Sequence, residues 1–126
     1  MTKQEIFDKV AVHLLTQKEP SLDEKGDCMY RGADGSAMCA VGCLIPDELY
    51  SDEMEDVRVR QSTRVQEALS FVGIDTQDEA VLSLLDELQL IHDGIQPRYW
   101  ESRLISLASD YSLSSDSVST KNWDTP

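Results

Sequence analysis

The sequence predicts a mainly α fold, a single domain of about four principal helices with a small β-hairpin between the first and the second. Three observations predict it. Helix-capping spacings recur ahead of apolar residues at helical period, a Gly-rich and Cys-rich stretch interrupts them once, and 126 residues suffice for one hydrophobic core but not two.

The first helix opens at Thr2-Lys-Gln-Glu5, the spacing at which a threonine oxygen accepts from a backbone N–H while the glutamate reaches back to the cap. Phe7, Val10, Ala11 and Leu14 then share one face, with Ile6 and Leu15 beside it, until Pro20 stops the helix. Between Cys28 and Tyr50 the chain reads CMYRGADGSAMCAVGCLIPDELY and holds all three cysteines. Cys28 to Arg31 and Ser36 to Cys39 are candidate strands around the turn-forming Gly32-Ala-Asp34-Gly35, with Tyr30 facing the core and Arg31 the nearby carboxylates. Ala40 to Ile45 suits a short buried helical turn ended by Pro46, in which Gly42 allows close packing and Cys39 and Cys43 share a face.

An acidic connector from Asp47 to about Ser62 shows little periodicity. Thr63 caps a second helix carrying Val65, Leu69 and Val72 and ending at Gly73; Thr76 caps a third with Val81, Leu84, Leu85, Leu88 and His92 on its broad apolar side, ending at Gly94. Pro97 fits the first turn of a fourth, which places Trp100, Leu104, Leu107, Ala108 and Tyr111 on one face. Residues 1–113 form the acidic helical domain; 114–126 are a Ser-rich tail too poor in apolar side chains to order alone, unless Trp123 docks.

The charge narrows the function classes. The chain carries −13, and between Asp47 and Asp93 thirteen carboxylates face three arginines, a net of −10. Such a field opposes direct nucleic-acid binding and attracts a basic protein surface. The plainer reading is that acidity serves solubility. With no apolar run of bilayer length and charges at Lys3, Glu5, Asp8 and Lys9, the expectation is a cytoplasmic chain with no membrane contact.

The cysteine stretch admits three readings. Simple burial of free thiols in a structural motif of Cys28, Tyr30, Arg31, Asp34, Gly35, Cys39, Gly42, Cys43 and Pro46 accounts for it most directly. Zinc held by Cys28, Cys39 and Cys43 has one tight Cys-x₃-Cys pair in its favour and would borrow a fourth ligand from His13, His92 or Asp27. A catalytic cysteine has an acidic neighbourhood against it, since nearby carboxylates raise a thiol pKa. His92 falls on an apolar stripe and reads as a core histidine; Asp93 beside it is not expected to face it. Leu90 projects from the acidic face of the third helix, and Val12 and Tyr99 also lie off their stripes.

YRGADGSAMCAVGCLIPDELY, with TKQEIFDKVAVHLLTQ before it and LLDELQLIHDG after it, resembles a set of small bacteriophage and bacterial proteins of unassigned activity over roughly Thr2 to Leu113. The resemblance carries over no catalytic or metal-binding residue and implies a phage or mobile-element setting. The function expected is therefore protein binding through an acidic surface, with Asp47, Glu48, Asp52, Glu53, Glu55, Asp56, Asp86, Glu87 and Leu90 meeting a basic surface of a host protein. Inhibition of a host defence or nucleic-acid-handling protein, by imitation of nucleic acid, is its narrower form, and a zinc-stabilised module is the alternative.

Overall fold

A capping box starts the first helix: Thr2 Oγ1 accepts from the Glu5 N–H at 3.1 Å, and Glu5 Oε1 accepts from the Thr2 N–H at 2.8 Å. The computed structural model describes residues 1–22, 29–32, 37–55 and 57–119. Helix α1, Lys3–Gln17, buries Ile6, Phe7, Val10, Ala11, Leu14 and Leu15 and ends where Lys18 turns left-handed (φ 58°), its N–H reaching the Leu14 carbonyl. Ahead of Pro20, that turn satisfies one of the orphaned carbonyls of the last turn.

The expected hairpin is reduced to one antiparallel bridge, Arg31 with Met38, and no strand occurs among the described residues. Gly32 donates to the Ala37 carbonyl and Cys39 to the Tyr30 carbonyl, and among the described residues the ladder goes no further. The reason lies in where the neighbouring N–H groups go. Met29 donates to the Ser21 carbonyl, Tyr30 and Arg31 donate to the Glu55 carboxylate, and Met38 donates to the Gln17 side chain. Arg31 and Met38 form a non-hydrogen-bonded pair whose N–H groups point away from each other's segment; the Tyr30 N–H, which would have continued the ladder to the Cys39 carbonyl, goes to Glu55 instead, and that carbonyl accepts from Cys43. Asp34 and Gly35, the heart of the expected turn, lie outside the described residues, as does Cys28.

From Gly42 the chain runs through four short 3₁₀ turns, Gly42–Leu44, Asp47–Leu49, Asp52–Met54 and Val59–Gln61, which bury Leu44, Met54 and Val59. Helix α2, Thr63–Phe71, is capped one residue earlier than expected, by Ser62 Oγ accepting from the Val65 N–H. It closes with Gly73 at φ 86°, the Gly73 and Ile74 N–H groups returning to the carbonyls of Ser70 and Leu69.

Helix α3, Glu79–Gly94, is capped by Asp78 rather than Thr76; Thr76 is buried, its hydroxyl paired with Ser70. A 3₁₀ turn at Pro97–Tyr99 leads into α4, Trp100–Asp110, and the buried Trp100 indole donates to the Ile95 carbonyl.

The Ser-rich segment, expected to be mobile, carries a short helix α5, Asp116–Ser119, with Val118 fully buried. What ties it down is Gln4 on α1, whose amide donates to the Ser114 carbonyl and accepts from the Ser114 N–H. One side chain thus satisfies both backbone groups of a residue 110 positions away. Helix α1 packs against α3, α4 and α5, while α2 lies against the Val59–Gln61 turn. Among the described residues no helix is long and apolar enough to cross a membrane.

Candidate functional site

Glu55 organises the motif region. Its Oε1 accepts from the Tyr30 N–H at 2.9 Å, and its Oε2 accepts from the Arg31 N–H at 3.1 Å and the Tyr50 hydroxyl at 2.5 Å. Tyr30, buried, donates its own hydroxyl to the Val57 carbonyl at 2.6 Å. Burial, reinforced by Cys39 and Glu55, pushes that phenol well above its ordinary range. Arg31 lies over the Tyr50 ring at 4.8 Å and donates to Asp47 and the Ile45 carbonyl, spanning the Pro46 corner. Tyr30 inward and Arg31 toward a carboxylate is the division expected from alternation.

The two described thiols are built in. Cys39 is fully buried, its Sγ accepting from the Gly42 N–H, and Cys43 donates to the Ala40 carbonyl. Burial raises the Cys39 pKa strongly and pushes Cys43 up to about 12, so both are protonated thiols at neutral pH. Among the described residues no three His, Cys, Asp or Glu side chains gather as a metal group would require. Such environments protect a thiol rather than activate it.

The histidines are placed separately. His92 stacks on Trp100 at 5.8 Å and accepts the Ser21 N–H at Nε2, 2.7 Å away. Nδ1 therefore carries the proton and donates to Asp93 at 2.6 Å. This corrects the expectation that neighbours on a helix do not meet: Nδ1 lies close to the backbone, and the short Asp93 carboxylate reaches round to it. His13 donates from Nε2 to the Met38 carbonyl at 2.8 Å, and burial lowers its pKa.

Folding divides the predicted acidic set. Glu55 is turned inward, Asp47 pairs with Arg31, and Asp86 pairs with Arg60 at 2.5 Å. Arg60 also grips Glu79 on α3, clamping the Val59–Gln61 turn across that helix. Glu53 pairs with Arg64 at 3.1 Å, Glu48, Asp52 and Glu87 are exposed, and Asp56 lies outside the described residues.

Two open grooves lie among these carboxylates. The larger, about 430 Å³, runs between residues 57–61 and α3 and is lined by Arg58, Arg60, Asp86, Asp93 and Leu90, the last 61% exposed. The smaller, about 280 Å³, lies between the turns carrying Leu49 and Met54 and the end of α2, and includes Phe71, 75% exposed. Reading the sequence singled out Leu90 but passed over Phe71. The same signal marks both: each is apolar, on a helix, and away from its buried stripe.

No protein-family model, curated protein or solved structure matches the chain.

Proposed function

We propose that the chain acts by binding another protein through its acidic surface, occluding a basic surface of that partner. The observation that carries this reading is the coincidence of exposed apolar side chains with exposed carboxylates: Phe71 and Leu90 each line an open groove, and Glu48, Asp52, Glu67 and Glu87 are exposed around the same elements. Surface ion pairs offset part of the acidity, at Asp47, Glu53, Glu79 and Asp86, while Asp47, Glu53 and Glu79 stay exposed within those pairs. A phage-encoded inhibitor of a host defence or nucleic-acid-handling protein, working in the host cytoplasm, is the setting that the resemblance of the Tyr30-to-Tyr50 motif suggests.

The test is capture from bacterial lysate with the tagged chain at about 0.05 and about 0.5 M salt, read by mass spectrometry. A near-stoichiometric partner lost at the higher salt is expected. Affinity that is unchanged across that range assigns the acidity to solubility instead. Displacement of the captured partner by excess duplex DNA is the result expected of nucleic-acid mimicry.

A further inference from the structure

The two grooves differ in their surroundings. Leu90 shares its groove with Arg58 and Arg60 as well as Asp86 and Asp93, so that groove presents both signs of charge. The Phe71 groove also has one charge of each sign in its lining, and differs in the exposed carboxylates carried by the turns that form it. Its apolar lining is Leu49, Met54, Ala68 and Phe71; its charged members are Glu67 and Arg64, and Arg64 is already engaged by Glu53. The turns that supply Leu49 and Met54 also carry Glu48 and Asp52, both exposed.

We propose that the Phe71 groove docks a basic amphipathic segment of a partner protein, which sets one large apolar side chain against Phe71 while its lysines or arginines meet Glu48, Asp52 and Glu67. This rests on the protein-binding reading above and names its anchor. At about 280 Å³ the groove falls below the roughly 300–1,000 Å³ of small-molecule pockets but suits a single inserted side chain. A second copy is disfavoured because a two-fold contact would set these carboxylates against themselves. An anionic membrane surface is repelled for the same reason.

The experiment is an NMR titration of the isotope-labelled full chain with a synthetic peptide of about twelve residues carrying leucine and lysine at helical spacing. An all-lysine peptide and a leucine–glutamate peptide serve as comparisons. The largest shifts are expected at Leu49, Met54, Ala68 and Phe71. Phe71→Ala should weaken binding about ten- to a hundredfold, the worth of one buried aromatic. Leu90→Ala should bind as the unchanged chain does. Because Phe71 is exposed, its variant should keep the far-UV spectrum and melting temperature of the parent.

Salt-sensitive binding that shifts residues around Leu90, or that survives Phe71→Ala, overturns the groove assignment and leaves the protein-binding reading standing. Equal affinity for the all-lysine peptide overturns the apolar anchor. Self-association in sedimentation that Phe71→Ala abolishes assigns the groove to a second copy and overturns the proposal. Failure of all three peptides to bind, with no salt-sensitive capture from lysate, overturns both readings.

Discussion

A β-carbon placed on Gly42 would lie 2.1 Å from the carbonyl oxygen of Tyr30. The obstacle is backbone, and that carbonyl is held in place by the Cys39 N–H, so it cannot swing aside as a side chain would. Gly42→Ala is expected to cost about 3 kcal/mol of stability in urea unfolding. Gly32→Ala is the comparison: its nearest contacts would be side-chain atoms at 3.2 and 3.3 Å, and it should cost clearly less. Equal losses would mean that the close approach at Gly42 is not what holds the motif.

Glu55 faces two backbone N–H groups and a phenol, all donors. Glu55→Gln replaces one acceptor oxygen with an amide that can only donate, leaving a donor facing a donor. The expected loss is about 2 to 3 kcal/mol, against about 1 kcal/mol for Tyr50→Phe. A double-mutant cycle between the two positions should show coupling, and strict additivity would exclude the shared bond.

Burial lowers the His13 pKa from its ordinary 6.5, with the Met38 carbonyl opposing the shift. The unfolded chain then takes up its proton at higher pH than the folded one. Stability is fully present above pH 6.5 and falls as pH drops through the folded value. His13→Gln should flatten that part of a plot of urea midpoint against pH. At lower pH a second fall is expected from carboxyls held below their ordinary 4.5: Glu5, by the Thr2 cap, and Glu79, by Arg60. A midpoint independent of His13 over the first window would contradict the burial.

The Cys39 and Cys43 thiols should react with a disulfide reagent at neutral pH far more slowly in the folded chain than in denaturant. Burial removes both access and thiolate. Peptide mapping distinguishes them from Cys28. Rapid labelling of Cys39 in the folded state would contradict its full burial.

Much of the helical frame was legible in local sequence because its signals are local. The capping box at Thr2 to Glu5 and the Gly73 stop depend on residues within a few positions of one another, and both occur as read. The caps at Ser62 and Asp78 each displaced a neighbouring threonine. Several hydroxyls and carboxylates competed for the same N–H groups, and spacing alone could not rank them. The hairpin shrank to a single bridge for a long-range reason: the Tyr30 N–H, which a strand pair would have sent to the Cys39 carbonyl, goes to Glu55, 25 positions away.

By itself, the sequence determined a mainly helical chain, its principal apolar stripes, the inward Tyr30 and the approach of Arg31 to a carboxylate, and the net negative charge. Only the tertiary structure decided which carboxylates pair with an arginine and which one turns inward, since pairing with Arg31, Arg60 and Arg64 and the inward turn of Glu55 depend on residues up to 26 positions apart. It also decided that Phe71 borders an open groove with Leu49, Met54, Ala68 and Glu67, and that Gln4 holds Ser114. Helix periodicity reports which side chains share a face; which faces remain uncovered is set by packing between segments, where local spacing carries no information.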